Sequence, residues 1–330
     1  MVVYEEYCNI RYRVYEGDYS PKKALENRPI DTTLHTICVI SNPCNYNRRI
    51  TLAQEFIARM KTYEPIIKLY VVELVYPGQE YRITSSDNPN HLQLKANTPL
   101  WAKENMINVC VQKMLPKEWK AMAYIDADVE FDNVDWPTHT LKALSSCDIL
   151  QLFSHAIDMD ANQNAMQIFQ SSMYQYINNK KRQAGLHYWH PGYAWAMNRK
   201  AYEQMGGLYD LSILGSGDDH LMRSLIGEDS WATSVHIDAT DDYKQSIKEF
   251  CEKTYGLRPG YLLGTIHHYF HGSKKNRKYR ERWDILVNHK YQPSIHITKD
   301  QDGLLVPTAE FPLALGEDIM GYFLERQEDS

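Results

Sequence analysis

Two aspartates at the end of an apolar run are the first residues in this sequence that could do chemistry. Asp126 and Asp128 directly follow the run from Trp119 to Ile125. In α/β proteins, ligands bind outside the carboxyl ends of strands, where two carboxylates can hold a divalent ion against a diphosphate. Two other D-x-D pairs occur, neither at the end of such a run: Asp158/Asp160 and Asp300/Asp302. Position therefore singles out the first pair, with a solvated turn as the alternative.

A cluster of histidines is the second candidate, at positions 267, 268 and 271. If this segment is extended, His267, Tyr269 and His271 share one face, whereas a turn after Tyr269 lets His268 and His271 converge on one ion. Imidazole is the commonest metal ligand in proteins. Two imidazoles and one carboxylate leave open positions for phosphate oxygens, as a catalytic metal requires. Ordinary core or surface histidines are the alternative.

An acidic pair opens a predicted helix. Asp218 and Asp219 follow Gly215, Ser216 and Gly217, and Ser216 is a candidate N-cap. The helix dipole favours carboxylates in a first turn, but capping explains one acid better than two. An ionised aspartate here could accept a proton from an incoming hydroxyl.

A basic run follows the histidines, and we predict that it forms a helix reaching about Asn288. Its members are Lys274, Lys275, Arg277, Lys278, Arg280 and Arg282. A solvated helix face is the usual role of such a run. Beside the histidines it could also neutralise phosphate charge.

The elements that must position these residues alternate between strand and helix. Strands are predicted at 34–40, 66–76, 119–125, 149–153, 192–197 and 261–269, and helices at 48–60, 102–115, 218–226 and 243–253, with 165–179 a helix or a long excursion. This order predicts an α/β fold with a mostly parallel, Rossmann-like central sheet.

No Pro/Gly/Ser-rich linker divides the chain, so we expect one catalytic domain. The expected boundaries are an N-terminal extension at 1–33, the domain at 34–290 and a C-terminal tail at 291–330. Within the domain, a donor half covers about 34–130 and an acceptor and metal half about 131–290.

Composition excludes several classes of protein. The 330 residues carry 36 Lys and Arg against 42 Asp and Glu, a net charge of −6 that disfavours general nucleic-acid binding. Six cysteines without a C-x-x-C pair fit thiols in a reducing compartment, not a disulfide or zinc framework. No apolar run reaches the ~18 residues that span a membrane, and the charged N-terminus does not resemble a signal peptide. We therefore expect a cytoplasmic protein.

The order of these motifs resembles metal-dependent glycosyltransferases of the GT-A fold, especially the C-terminal region of the β-1,4-galactosyltransferase family. That family has a D-x-D after a strand, an acceptor helix of the type G-E-D-D, and an M-x-x-H segment followed by basic residues. The segment HPGYAWAMNRKAYEQMGGLYDLSILGSGDDHLMRSLIG is similar to the middle part, and IHHYFHGSKKNRKYRERWDIL to the metal segment. Together the match covers roughly residues 120–290.

A second resemblance covers most of the chain. The segments SNPCNYNRR, WAKENMIN, YIDADVEF and HHYFHGSKKNRKY are similar to uncharacterised glycosyltransferases encoded by large DNA viruses and phages. This resemblance names no substrate. It implies a viral protein located in the host cytoplasm.

Carried over residue by residue, the first resemblance implies a metal site at Asp128, His268 and His271. His268 stands where the family has methionine. Its imidazole nitrogen is a harder ligand than the methionine sulfur and suits Mn²⁺. Asp219 becomes the catalytic base and Asp218 an acceptor ligand, while the tryptophan-containing W-G-G loop is reduced to LGSG.

The remaining candidates face the donor. Asp126 is expected at the donor ribose or sugar and Lys274 at its phosphates. Three residues follow the first strand and a fourth lies on a later helix, and these are expected at the nucleoside: Ser41, Asn42, Arg48 and Asn105.

The sequence thus predicts an enzyme, a hexosyl- or pentosyltransferase that uses Mn²⁺ or Mg²⁺. It would move a sugar from a nucleotide-diphosphate sugar, with UDP the expected nucleotide, to a glycan or other hydroxyl acceptor, with inversion. A nucleotidyltransferase is one alternative, although SNPCNYN lacks the glycines of its phosphate loop. A non-catalytic protein that binds glycans or nucleotide sugars is another.

Overall fold

The computed structural model describes residues 4–7, 10–13, 17–179, 189–227 and 235–330. The strands in these ranges are β1 Tyr4–Tyr7, β2 Ile10–Arg13, β3 Leu34–Ser41, β4 Ile67–Val75, β5 His91–Lys95, β6 Ala121–Ile125, β7 Val129–Phe131, β8 Ile149–Gln151, β9 His155–Met159, β10 Ala165–Ser171, β11 Trp189–His190, β12 Ala194–Asn198, β13 Pro259–Tyr261, β14 Thr265–His268, β15 Ile297–Lys299 and β16 Leu305–Pro307. The helices are α1 Pro21–Ala24, α2 Asn47–Met60, α3 Lys103–Met114, α4 Trp136–Ala143, α5 Ser172–Asn179, α6 Arg199–Met205, α7 Gly217–Ile226, α8 Asp241–Lys253, α9 Arg282–Asn288, α10 Pro293–His296 and α11 Leu313–Glu325.

A seven-stranded sheet forms the centre of the fold, in the order β13-β8-β12-β6-β3-β4-β5. Its neighbouring strands are parallel except at β12, which runs antiparallel to both β6 and β8. The central strands are apolar runs because both of their faces are buried. The α/β class expected from the sequence, with a mostly parallel central sheet and flanking helices, is confirmed.

Apolar cores cover both faces of this sheet. Adjacent residues of β4 enter different cores, Val72 the first and Val71 the second, because successive side chains of a strand point to opposite faces. Helices α3, α7, α8 and α11 contribute to the first core, and α2 and α4 to the second. In the second core the ring of Phe131 stacks on that of Trp136, with centroids 4.5 Å apart. These helical layers fix the sheet edge at which the candidate residues meet.

A second sheet has five strands, in the order β11-β10-β9-β14-β7. Two chain segments pass into it from the central sheet, β8 into β9 and β13 into β14. Where they pass each other, Gly264 N donates to Ser154 Oγ at 3.2 Å and Ser154 N donates to Gly264 O at 3.0 Å. The strand predicted over 261–269 is therefore two strands in two sheets. The chain bends at Gly264, whose φ of +154° favours glycine.

The structure differs from the sequence analysis at three other places. Strand β5 pairs in parallel with β4 inside a segment that the sequence analysis left without an element. Residues 165–179 are a strand followed by a helix, not one helix. The basic run forms a short 3₁₀ helix, Lys274–Arg277, and becomes α-helical only at Arg282. Lys278 between them has a φ of +42°, which interrupts a right-handed helix.

The segment 291–330, expected to be a tail, packs on the first core. Tyr291, Leu305, Leu315 and Ile319 are buried there. Across the described residues, none of the helices combines the length and apolarity needed to cross a bilayer.

Candidate active site

A cavity of about 1440 Å³ opens at the carboxyl ends of β3 and β6. Its other walls are the segment before β12, the start of α7 and the chain after β14. The antiparallel direction of β12 brings residues that precede that strand to the same edge. Polar groups from at least five separate parts of the chain therefore face one space.

Asp128, His268 and His271 converge in this cavity. Nε2 of His271 lies 2.8 Å and Nε2 of His268 3.7 Å from Oδ2 of Asp128. One ligand atom from each residue lies within 4.8 Å of the others. Strand β14 ends at His268, and Tyr269 N donates to Asp128 O at 2.8 Å, so the chain turns His271 back toward the aspartate. This is the turned alternative of the sequence analysis; His267 points elsewhere, 3.2 Å from Asp132.

Each imidazole has a second carboxylate on its other nitrogen. Asp158 Oδ1 lies 2.8 Å from Nδ1 of His268, and Glu328 Oε2 lies 3.4 Å from Nδ1 of His271. An ionised carboxylate only accepts hydrogen bonds, so each contact provides an acceptor for a proton on Nδ1, the arrangement in which Nε2 can bind an ion beside Asp128. Histidines that bind metals are oriented in this way.

A further observation indicates that the trio fits a divalent ion. Asp128 Oδ1 is buried without a hydrogen-bond partner. A buried carboxylate oxygen without a partner is costly unless a cation satisfies it. Two imidazole nitrogens and a carboxylate suit Mn²⁺ or Zn²⁺ and leave positions open for a ligand. Asp128, His268 and His271 could therefore hold the metal that the sequence predicts.

Charges around the trio are strongly coupled. Burial alone would raise the pKa of Asp128, but the imidazoles of His268 and His271 hold it well below its usual value. Burial would lower the pKa of His268, and the carboxylates of Asp128 and Asp158 outweigh that and raise it. For His271, burial and the nearby Arg277 guanidinium lower the pKa. The carboxylate is therefore ionised at neutral pH, as a metal ligand must be.

Asp126, the first aspartate of the pair, forms an ion pair with Lys103 from the first turn of α3. Its backbone N donates to Tyr193 O at 2.8 Å, which joins the end of β6 to the start of β12. Burial raises the pKa of Asp126, while Lys103 opposes that shift. Both side chains line the cavity.

Asp218 and Asp219 also line the cavity, at the start of α7. Arg223 Nε donates to Asp219 Oδ2 at 2.9 Å, and Asp219 N donates to Asp218 Oδ1 at 2.9 Å. Ser216 occupies the N-cap position, but its side chain does not cap the helix. It accepts a hydrogen bond from Arg282 Nη2 at 2.7 Å instead. Ser216 therefore does not cap α7, whereas Asp218 accepts from one backbone donor of its first turn.

The segment before β12 packs closely on this pair. A Cβ on Gly192 would lie 2.5 Å from Asp218 Oδ2, so only glycine leaves room for that carboxylate. The rings of His190 and Tyr193 stack with centroids 3.8 Å apart. Tyr193 OH donates to Asp158 Oδ1 at 3.0 Å, which connects this segment to the metal trio.

The structure brings some of the predicted donor residues to the cavity and not others. Ser41 and Lys274 line it, Ser41 bonded to Tyr76 OH at 2.8 Å and Lys274 paired with Asp158. Three predicted residues are not in its lining: Asn42, Arg48 and Asn105.

Those three residues serve the fold instead. Asn42 closes its own loop by bonding the backbone of Tyr46, at 2.8 and 2.9 Å. Arg48 Nε donates to Phe270 O at 2.9 Å. Asn105 is buried and bonds Asp210, Gly303 O and Leu305 N, at 2.9 to 3.0 Å.

Sequence reasoning missed several residues of the site. Asp158 belongs to one of the D-x-D pairs that position had set aside, and it is the last residue but one of a strand of the second sheet. Lys103 lies at the start of a correctly predicted helix. Glu328 has no local pattern that could reveal it.

Basic side chains outnumber acidic ones in the cavity lining. The basic residues are Arg49, Lys103, Arg223, Lys274, Lys275, Arg277, Arg280, Arg282 and Arg326. The acidic residues are Asp126, Asp128, Asp218, Asp219, Glu281, Asp284 and Glu328. Because the whole chain carries a net charge of −6, the cavity has the opposite sign from the rest of the surface. Such a cavity attracts an anionic ligand.

Comparisons with known proteins give only distant similarities. No family model and no curated protein matches the sequence. A Drosophila β-1,4-galactosyltransferase 7 variant, solved with manganese, UDP-Gal and xylobiose, is 12% identical with a TM-score of 0.36, covering 84% of this chain and 95% of its own. A mannosyltransferase from Pyrobaculum calidifontis, solved with GDP-Man and Mn²⁺, is 13% identical with a TM-score of 0.37. The match covers 74% of this chain and 61% of the mannosyltransferase.

A 4-diphosphocytidyl-2C-methyl-D-erythritol synthase from Anaerococcus prevotii is similar to the same degree. It is 10% identical with a TM-score of 0.34, covering 71% of this chain and 90% of its own. All these scores are below 0.5, and they assign neither a family nor an activity to this chain.

Proposed function

We propose that this protein is a metal-dependent glycosyltransferase that moves a hexosyl or pentosyl group from a nucleotide-diphosphate sugar to a hydroxyl acceptor. One observation carries the proposal. Asp128, His268 and His271, each imidazole backed by a second carboxylate, line the same basic cavity as the acidic pair Asp218 and Asp219. An electrophile held at the first group can meet a hydroxyl held at the second.

The donor side is formed by the sheet edge and the basic side chains. A divalent ion held by Asp128, His268 and His271 would supply positive charge to the diphosphate as it leaves. Lys274 and Arg277, which line the same wall, add cationic hydrogen-bond donors for phosphate oxygens. Ser41 lies toward the nucleoside, with UDP the nucleotide we expect. Asp126 faces the ribose or the sugar.

The acceptor side depends on Asp219. Arg223 fixes its Oδ2, whereas Oδ1 has no hydrogen bond to any described residue. In the reaction the acceptor oxygen forms a bond to the sugar C1, its proton passes to Asp219 Oδ1, and the C1–O bond to phosphate breaks with its electron pair on the diphosphate. Attack opposite the leaving group gives inversion. Asp218 then binds a second group of the acceptor.

A panel of UDP-, GDP- and TDP-sugars with Mn²⁺ tests this proposal. We expect one donor to be hydrolysed, with release of nucleoside diphosphate. With that donor and a hydroxyl acceptor, Asp219→Asn should slow sugar transfer by ~10²–10⁴ and leave donor binding intact, because general-base assistance is of that size. Asp218→Asn is the matched control, and it should mainly raise the KM for the acceptor.

Other outcomes of the panel point to the alternatives. Binding of a nucleotide sugar without turnover would indicate a binding protein. Release of pyrophosphate from a nucleoside triphosphate and a sugar phosphate would indicate a nucleotidyltransferase. Turnover by Asp219→Asn close to that of the natural chain would overturn the base assignment.

A further inference from the structure

We propose that Glu328 is a positioning residue of the metal site, one that holds His271 with its Nε2 lone pair directed at the ion. This inference rests on the metal site of the proposed function. Glu328 lies 57 residues beyond His271 in the chain, in the segment expected to be a tail.

Glu328 is one of the most buried carboxylates in the described structure, with its side chain 1% exposed. Arg49 forks onto both of its oxygens, with Nη2 2.7 Å from Oε1. Arg326 Nε lies 2.7 Å from Oε1, although not in hydrogen-bond direction. Two guanidinium groups at these distances pair with the ionised form of a carboxyl group. The group that faces His271 is therefore a carboxylate, which can only accept a hydrogen bond.

The opposite nitrogen of His271 gives independent support. Arg277 Nη2 lies 2.7 Å from Nε2, and a guanidinium carries donors only. That contact, shorter than the 3.5 Å from the same Arg277 nitrogen to Nδ1, favours a lone pair on Nε2 and the ring proton on Nδ1, 3.4 Å from Glu328. The neighbouring Asp128 Oδ2 is also an acceptor, 2.8 Å from Nε2. Two acceptors this close are stabilised by a cation between or beside them.

The backbone around Glu328 is fixed against the metal segment. Gly272, next to His271, has a φ of +84°, and a Cβ there would lie 2.9 Å from Arg326 O and 3.0 Å from Glu328 Cα. Gln327 N donates to Tyr46 OH at 3.1 Å. We call residues 326–329 the clasp, because they connect the metal segment to the start of α2.

The clasp also has a purely structural contact, which provides a control. Helix α2 receives no cap from its own N-cap residue, Tyr46. The Asp329 carboxylate accepts from Asn47 N at 3.1 Å and from Arg48 N at 2.7 Å. Loss of this cap loosens the clasp without removing the acceptor of His271.

The test is calorimetric titration of Mn²⁺ alone into metal-free protein. For Glu328→Gln we expect 10- to 100-fold weaker binding, the usual cost of removing the partner of a metal-binding histidine. Glu328→Asp keeps the charge that Arg49 and Arg326 require but withdraws the carboxylate from Nδ1, so it carries the test if the glutamine variant fails to fold. Asp329→Asn should lower the melting temperature and leave the Mn²⁺ Kd within about threefold.

Nitrogen-15 NMR of the metal-free protein is the second measurement. It should find the His271 proton on Nδ1 in the natural chain and redistributed in Glu328→Asp. If the natural chain binds Mn²⁺ and both folded Glu328 variants bind it equally well, the positioning inference is wrong and the metal site stands. If the natural chain does not bind Mn²⁺, the metal site itself is wrong. A proton on Nε2 of His271 would also overturn the inference.

Discussion

Glu104→Gln should remove part of the pH dependence of the free energy of unfolding. Glu104 is 7% exposed in the first turn of α3, and its side chain packs on Gly217, where a Cβ would lie 2.4 Å from its Cδ. Burial raises its pKa from 4.5 to about 7, with the carboxylate of Asp218 also raising it and Lys103 opposing. The side chain is therefore neutral in the folded chain at a pH where the unfolded chain has already lost the proton.

The sign and size of the effect follow from proton linkage. Between pH 4.5 and about 7 the folded state binds more protons than the unfolded state, so the free energy of unfolding falls as the pH rises. A difference of roughly 2.5 pKa units corresponds to about 3 kcal/mol at 1.36 kcal/mol per unit. This contribution is complete below pH 4.5 and lost above about pH 7. Glutamine does not titrate and keeps the shape of the neutral acid.

Urea unfolding at several values between pH 4.5 and 8, with EDTA present, measures the difference. The free energy of unfolding of Glu104→Gln, relative to the natural chain, should rise by up to about 3 kcal/mol across this range. Glu118→Gln, at an exposed position four residues after the end of α3, controls for the lost net charge. A relative stability of Glu104→Gln that stays constant within about 0.5 kcal/mol would refute the reasoning.

Three further predictions test the site. Gly192→Ala places a methyl group 2.5 Å from Asp218 Oδ2, so sugar transfer should fall at least tenfold with Mn²⁺ affinity unchanged; unaltered steady-state kinetics would contradict it. Asn105→Ala removes three buried hydrogen bonds and should cost roughly 2–4 kcal/mol in urea unfolding, whereas calorimetry should find UDP affinity unchanged. Tenfold weaker UDP binding would instead indicate that Asn105 contributes to the donor site. Asp158→Asn replaces the anionic acceptor of His268 Nδ1 by a neutral amide and should weaken Mn²⁺ binding 10- to 100-fold; an unchanged Kd would exclude that role.

The sequence predicts the fold where local patterns are strong. Strands β3, β4 and β6 are apolar runs buried on both faces, and their ends lie within about two residues of the predicted ones. Strand β10 is not predicted from the sequence because four of its residues are exposed, so it carries no apolar pattern. The bend at Gly264 is not visible either, since strand-forming residues flank it on both sides.

The metal trio is also accessible to sequence reasoning, because Asp128 ends an apolar strand and the histidines are clustered. The residues that orient the trio are not. Asp158 lies on a strand whose burial alternates, and Glu328 meets His271 only through the packing of α11. Proximity to a strand end also misleads for Asn42, whose side chain folds back on its own loop. Such a side chain and a ligand-binding one have the same local sequence signature.

The clasp has a consequence for the order in which the molecule is assembled. Asp329 caps a helix that begins at Asn47, 282 residues earlier, and Glu328 pairs with Arg49 from the same helix. During synthesis, the chain grows at roughly 5–20 residues per second and its early parts can fold as they emerge. A nascent chain that has passed residue 310 contains every described strand of both large sheets, yet α2 is still uncapped and His271 lacks Glu328 beside its Nδ1. We expect the full affinity for the metal to appear last, when the clasp packs on the start of α2, so a chain that ends before the clasp would fold its sheets and bind the ion more weakly.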